Sequence, residues 1–218
     1  MYPAPFDYAA PSTIDEALQL LSQNQEARVL AGGHSLLPAM KLRLSSPSML
    51  VDLRKIDGLR GMSFRPEDGG LRIGAMTTYA EILANQDLVS THPALYEAVE
   101  QVGDLQVRNC GTIGGSIAHN DPAADLPAVV LALEATINTL GPGGSRGIPA
   151  EQFIVGLFET ALQPGEIITS IDFPPRAAGS GSAYEKFENA ARGYAITGIA
   201  AVLIAGAGAA HGVRVAVT

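Results

Sequence analysis

An α+β protein is what the 218-residue sequence predicts. Three observations lead there. Short runs alternate apolar and polar residues with period two, and segments with apolar residues at helical spacing lie between them. The two kinds of segment also alternate without the regular rhythm of a doubly wound parallel sheet. With 47% hydrophobic residues, the chain can bury a core sufficient for one large domain or two small ones.

Taken in order, the first helix starts after Ser12 or Thr13, either of which can cap it. Asp15 and Glu16 favour its first turn, and Ile14, Ala17, Leu18 and Leu21 share one face. A strand at Arg28 to Leu30 runs into Gly32-Gly33, a short helix covers Leu36 to Leu44, and a strand follows at Met49 to Leu53. From Ile56 a second unit begins, with a strand over Gly70 to Ala75 and helices over Tyr79 to Ala84 and Pro93 to Val102. The stretch Gly111 to Pro122 is rich in glycine and polar residues and reads as a loop. A helix from Asp125 to Glu134 shows Leu126, Val129, Val130 and Leu133 on its apolar face. Thr136 to Leu140 and Glu166 to Phe173 alternate as strands do. Pro174-Pro175 closes this unit, and the small residues Ala177 to Ser182 form a linker. Strands at Ala183 to Phe187, Ile196 to Ala205 and Val213 to Val217 complete the chain. The expected division is 1–55, 56–176 and 177–218, the last an incomplete domain.

Composition narrows the function. A net charge of −8 argues against nucleic acid as a partner, because phosphate backbones require a basic face. No apolar run reaches the roughly 20 residues of a membrane span; the longest, Ile196 to Ala207, is interrupted by glycine. Met1 to Pro5 lacks the basic and apolar regions of a secretory signal, so a cytoplasmic protein is expected. Cys110 is the single cysteine, which rules out an internal disulfide and any four-cysteine iron–sulfur or zinc site within the chain. His34, His92, His119 and His211 show no metal-ligand spacing. Redox chemistry here would need an organic carrier or a centre in another chain.

Two glycine-rich segments stand out. In Ala31-Gly32-Gly33-His34-Ser35-Leu36-Leu37-Pro38, adjacent glycines between a strand and a helix permit positive φ and close approach of a ligand to the backbone. Successive N–H groups there can form an anion nest beside a helix N-terminus, although an ordinary tight turn fits as well. The P-loop and G-x-G-x-x-G patterns are both missing. The second segment, Gly111-Thr112-Ile113-Gly114-Gly115-Ser116-Ile117-Ala118-His119-Asn120-Asp121-Pro122-Ala123-Ala124-Asp125-Leu126-Pro127, offers another glycine pair flanked by hydroxyls. Asp121 can fix a turn before Pro122. Asp125 can cap the next helix, and one of the two carboxylates near a dinucleotide can accept a hydrogen bond from a ribose hydroxyl. Two donor-rich segments in separate units suit an extended dinucleotide whose pyrophosphate lies between them.

These segments, with Phe6-Asp7-Tyr8, Val51-Asp52-Leu53 and Ile73-Gly74-Ala75-Met76-Thr77-Thr78, recur in order and spacing. Together they resemble the FAD-binding medium subunit of molybdenum hydroxylases, of the carbon monoxide dehydrogenase and xanthine dehydrogenase type. The resemblance covers essentially the whole chain. It implies the two-subdomain PCMH-type FAD-binding fold, also seen in vanillyl-alcohol oxidases, followed by the start of a C-terminal α/β domain. It also implies non-covalent FAD, cradled at the pyrophosphate by Ala31, Gly32, Gly33, His34, Ser35 and Leu36 and by Thr112, Ile113, Gly114, Gly115 and Ser116. Asp125 matches an acidic FAD contact, Ile168 and Lys186 match further cofactor contacts, and Tyr194 matches an aromatic beside the isoalloxazine ring. The implied setting is a hetero-oligomer in which a large subunit holds the molybdenum cofactor and a small subunit holds 2Fe-2S clusters.

Three departures accompany the match. Ser116 stands where the family often has asparagine, the stretch Asn189-Ala190-Ala191-Arg192 is less basic than usual, and the sequence ends at Thr218, inside the expected C-terminal domain. Among single residues, Cys110 reads as a small packed residue. His119 fits a cofactor contact or a surface role equally. Tyr194 and Lys186 have packing and a solvated strand face as their alternatives. A covalent flavin link through His34 is disfavoured, because the resembling family binds FAD non-covalently. Two other functions remain to weigh: a self-contained flavin oxidase or reductase, for which no acid–base group is identifiable, and a binding module without flavin.

Overall fold

A computed structural model describes residues 1–191, 193–206 and 209–218. Strand β1 (Asp7–Ala9) precedes helix α1 (Ile14–Gln23), which starts with a capping box: Thr13 and Glu16 each satisfy the other's backbone N–H. Strand β2 (Ala27–Leu30), helix α2 (Leu36–Lys41) and strand β3 (Met49–Asp52) follow. The three strands form a parallel sheet in the order β1-β3-β2. Its register pairs Val29 with Val51, whose side chain is buried against Ala17 of α1.

The second sheet is antiparallel, ordered β4-β5-β10-β6-β7. Its strands are β4 (Met62–Phe64), β5 (Leu71–Gly74), β6 (Thr136–Gly141), β7 (Gly144–Pro149) and, after the hairpin β8 (Ile154–Gly156) and β9 (Glu159–Thr160), β10 (Ile167–Phe173). Between β5 and β6 the chain makes α3 (Tyr79–Ala84), α4 (Leu88–Thr91), α5 (Pro93–Glu100), α6 (Leu105–Cys110), α7 (Ile113–His119) and α8 (Asp125–Ala132). A further short helix, α9 (Ala150–Phe153), follows β7. Helix α8 is buried on nearly every side, from Leu126 to Ala132, as a helix apolar all round must be.

The third sheet joins β11 (Ser180–Glu188), β12 (Ala195–Gly206) and β13 (Ala209–Val217), all antiparallel. Its inner face lies on α5 and α8, and Tyr184, Ala200 and Val202 enter the same core as Leu126 and Val130. Its outer face exposes Ile199, Leu203, Val213, Val215 and Val217.

Several sequence expectations need correction. The stretch from Gly111 to Pro122 is largely helix α7, not a loop. Burial of Ile113 and Ile117, and tight contact of Gly114 with Ala75, override the low helix propensity of two glycines. The linker reading of Ala177 to Ser182 fails at Ser180, where β11 already begins; small residues fit that strand because Ser180 is buried against the core. Strands β4 and β7 and helix α6 carried too little apolar pattern to be read. Helix α6 is held instead by Asp104, whose carboxylate accepts from Val107 N–H at 2.9 Å.

Candidate FAD-binding site

The site begins where β2 ends. Gly32 packs so closely on the Cys110 carbonyl oxygen that a Cβ there would collide with it, and Gly33 has φ +74°. The turn therefore requires glycine twice, once for close approach and once for a left-handed conformation. From Gly32 to Leu36, no backbone N–H donates to a carbonyl among the described residues; Leu37 is the first to do so, to Gly33. Five successive unpaired amides make a nest of the kind that binds anions. His34 is exposed, with its Nδ1 3.0 Å from the Gly32 carbonyl.

Helix α7 faces this turn and offers something different. Thr112 caps it, its hydroxyl accepting from Gly115 N–H at 3.1 Å. The N–H groups of Ile113, Gly114 and Ser116 donate to Thr77, Ala75 and Thr112. The amides between Thr112 and Ser116 thus already have acceptors, and only the hydroxyls and the open backbone face remain for a ligand. Gly115 supplies that open face: an added Cβ would touch the Thr112 hydroxyl at 2.9 Å and then only Ala31, at 3.6 Å. Gly114, in contrast, has Ala75 Cβ within 2.6 Å of where its own Cβ would lie, so its glycine serves packing. The two glycine segments meet at Gly32 with Cys110–Gly111 and at Ala31 with Gly115.

Asp125 does not cap α8. The N-cap is Ala124, and the Asp125 side chain turns instead to strand β11. It is 6% exposed and accepts from the Tyr184 hydroxyl at 2.6 Å. Lys186 Nζ lies 3.0 Å from its Oδ1 and donates to Oδ2 at 3.3 Å and to the Gln101 carbonyl at 2.9 Å. The Lys186 side chain is 0% exposed, so the solvated-face alternative fails. A fully buried lysine needs a carboxylate partner, and Asp125 is that partner. Burial raises the Asp125 carboxyl pKa, opposed by its bonds to Tyr184 and Lys186. Burial and the bond to Asp125 push the Tyr184 phenol far above its usual range.

Tyr79, which the sequence did not mark, belongs to this group. Burial pushes its phenol up to about 12, and Ser116, Asp125 and Tyr194 are near enough to act on it. Tyr194 is half exposed, which removes a buried packing role. It lines an open cleft of about 420 Å³ with Asp121, Ala123, Asn189, Ala195 and Ile196. Asp121 fixes its turn as expected, its carboxylate accepting from Ala123 N–H at 2.9 Å. Arg192, part of the less basic stretch, lies outside the described residues.

Other candidates separate from this cluster. Ile168 is 5% exposed within the core, leaving a ligand little of it to touch. Cys110 is exposed at the end of α6, not packed; its carbonyl, not its thiol, makes the contact with Gly32. His119 takes the surface role: it is exposed, 3.8 Å from Asp121 and tilted against Phe158 at 5.3 Å. No group of three or more metal-ligating side chains occurs among the described residues. Nor is any helix there long and apolar enough to cross a membrane.

The arrangement fits a dinucleotide with a charged middle. The Gly32–Leu36 amides can take phosphate oxygens, Gly115 leaves open space beside Ala31, and Asp125 is a carboxylate able to accept a hydroxyl. Comparison with known proteins agrees. The family described as the FAD binding domain in molybdopterin dehydrogenase matches residues 4–176. The chain is 41% identical over 219 aligned positions to the carbon monoxide dehydrogenase medium chain of Hydrogenophaga pseudoflava, covering 100% of this chain and 76% of the relative. It is 40% identical over 200 positions to the glyceraldehyde dehydrogenase medium chain of Sulfolobus acidocaldarius, covering 92% of this chain and 70% of the relative. Among solved structures, carbon monoxide dehydrogenase from Hydrogenophaga pseudoflava superposes with a TM-score of 0.95 at 42% identity, covering 100% of this chain and 76% of that one. Quinoline 2-oxidoreductase from Pseudomonas putida 86 superposes at 0.91 and 33%, covering 100% and 75%. The chain therefore belongs to the FAD-binding family of the molybdopterin dehydrogenases, as a medium, FAD-binding subunit of an oxidoreductase.

Proposed function

We propose that this chain carries electrons between redox centres, as the flavin subunit of a cytoplasmic hetero-oligomer. A small subunit with 2Fe-2S clusters would hand electrons to it, and a large subunit with the molybdenum cofactor would oxidise the organic substrate. Relatives named as medium chains or as subunits of dehydrogenase complexes support that setting. So does the single cysteine, which leaves any cysteine-ligated cluster to another chain. FAD, when bound, supplies the electron-accepting and electron-donating chemistry.

The observation that carries the reading is the row of five amides from Gly32 to Leu36 without a carbonyl acceptor, beginning next to Ala31, which borders the open side of Gly115. Those amides would hold the pyrophosphate, with Ala31 and the Thr112–Ser116 helix start closing the other side. Asp125 would accept a hydroxyl of the cofactor, with Lys186 as its counter-charge. Tyr194, half exposed on the cleft, would lie beside the isoalloxazine ring, and Ile168 would contribute only at its edge. None of these residues needs to act as an acid or base on the organic substrate; their work is binding, orientation and tuning of potential.

A visible absorbance spectrum, taken before and after FAD addition and desalting, tests this directly. The chain should retain flavin. Gly115→Leu should abolish retention, because the new side chain fills the open face and presses only on the Thr112 hydroxyl and Ala31. Organic substrate should bleach the flavin in the assembled complex and leave it oxidised in the isolated chain. Bleaching of the isolated chain would place the substrate site here and overturn the electron-transfer role.

A further inference from the structure

We infer that Tyr184 is a positioning residue for the cofactor, acting through Asp125 without touching FAD. This rests on the reading of Asp125 as a cofactor contact.

A carboxylate has about four lone-pair positions to fill. On Asp125, Oδ1 accepts from the Tyr184 hydroxyl at 2.6 Å and Oδ2 accepts from Lys186 Nζ at 3.3 Å, the ammonium also lying 3.0 Å from Oδ1. Each oxygen keeps a lone pair, and the two donors together fix how the carboxylate is turned toward a ligand hydroxyl. Without the phenol, Oδ1 would lose a short, charge-assisted bond in a buried setting. With Lys186 as its one remaining side-chain donor, the carboxylate would then be free to rotate, losing the orientation that a ligand hydroxyl needs.

The surroundings hold the Tyr184 hydroxyl at this place. The residue is 2% exposed, and its backbone N–H donates to Glu97 Oε2 at 2.7 Å. Gly198, on the neighbouring strand, leaves the hydroxyl its room: a Cβ there would strike the phenol oxygen. The turn carrying Asp125 is fastened to the same sheet on its other strands. Ala195 N–H donates to the Ala123 carbonyl at 3.3 Å, and the Thr218 hydroxyl contacts the Pro122 and Ala124 carbonyls at 2.6 and 2.7 Å. The third sheet therefore sets the position of Asp125, and Tyr184 sets how its carboxylate is turned.

The test is a double-mutant cycle read as the FAD dissociation constant, by flavin fluorescence titration of the full chain. Tyr184→Phe should weaken FAD about tenfold, the scale of one hydrogen bond to a charged group. In an Asp125→Asn background the same substitution should have almost no further effect. An equal tenfold loss in both backgrounds would mean that Tyr184 acts independently of Asp125, which overturns the inference. Tyr184→Phe without effect, beside an Asp125→Asn that weakens FAD, overturns it too. Asp125→Asn that leaves FAD binding intact would instead remove the cofactor contact on which the inference rests. Should Asp125→Asn fail to fold with Lys186 unpaired, Tyr184→Phe alone decides through fragments. The single variant should weaken either FMN or ADP, whichever carries the hydroxyl at Asp125. Equal weakening of both would indicate a general loosening and refute positioning.

Discussion

At the scale of single residues, the glycines divide by what their missing side chains make room for. Gly32 makes room for the Cys110 carbonyl, Gly114 for Ala75 and Gly115 for open space beside Ala31. Substitution at the first two should therefore fail differently from substitution at the third. Gly32→Ala and Gly114→Ala should lower the melting temperature by several degrees, because backbone and a packed methyl must shift. Gly115→Leu should lose FAD at a smaller cost in melting temperature. A thermal melt of the three apoproteins, beside their flavin content, separates the classes. His34 makes a second residue-scale prediction. Its ring contacts the Gly32 carbonyl at 3.0 Å and belongs to the turn, so acid precipitation should release all the flavin into the supernatant. Flavin remaining on the pellet would show a covalent bond.

At the scale of elements, two devices hold α7 and β10 in place. The Thr112 hydroxyl caps α7 and also ties Gly115 N–H in place, so Thr112→Val should cost about 1 kcal/mol in a denaturant titration. It should weaken FAD as well, since it frees the start of the helix facing the nest. The start of β10 is anchored by Glu166, which accepts from Arg146 at 2.7 and 2.6 Å and from Gln163 N–H at 2.7 Å. The Arg146 hydrogen bonds lower the Glu166 pKa, against the raising effect of burial. Because the folded value lies below the unfolded one, this stability is present above the ordinary carboxylate range and is lost as pH falls through it. Glu166→Gln should flatten that part of the acid limb. At pH 7 it should cost about 2 kcal/mol, the scale of hydrogen bonds to a charged group. Urea titrations at pH 7 and in the acid range check both parts.

The elements also show where local pattern suffices. Helix α1 was readable to its cap because Thr13 and Glu16 are neighbours in sequence and meet within one turn. Helix α3 runs from Tyr79 to Ala84 as expected, with Thr78 and Glu81 forming the same box. Helix α7 was not readable, because what favours it lies elsewhere: Ala75 and Thr77 supply the carbonyls and the packing surface that two glycines need. Strand β7, Gly144–Pro149, holds two glycines and no apolar alternation, and it exists through its pairing with β6.

At the scale of the whole molecule, the third sheet belongs with the second unit's core. Tyr184, Ala200 and Val202 are buried against α5 and α8, and their cluster continues to Leu71 and Phe173. A peptide of residues 177–218 should therefore show no cooperative unfolding by circular dichroism when made alone, because its inner face has nothing to bury against. A sigmoidal melt would establish it as an autonomous unit. The same junction places Lys186 and Tyr184 on Asp125, so the sheet is part of the candidate site and not an appendage to it.

By itself, the sequence determined the kind of protein and marked two candidate binding segments. Patterning led to an α+β fold, because turns, caps and strand alternation are set by near neighbours. The two glycine motifs suited a dinucleotide, and the resemblance of the ordered motifs to a known family pointed to FAD. The lone Cys110 excluded a four-cysteine cluster from this sequence by count alone. What the tertiary structure decided were the roles of single residues: a buried Lys186, an Asp125 that does not cap, free amides in one glycine segment and engaged amides in the other. Those roles depend on groups far apart in sequence. Asp125 and Lys186 are separated by 61 positions, and Gly32 meets a carbonyl at Cys110. Composition and periodicity report which side chains avoid water, but only the packed chain determines which polar groups are left without a partner.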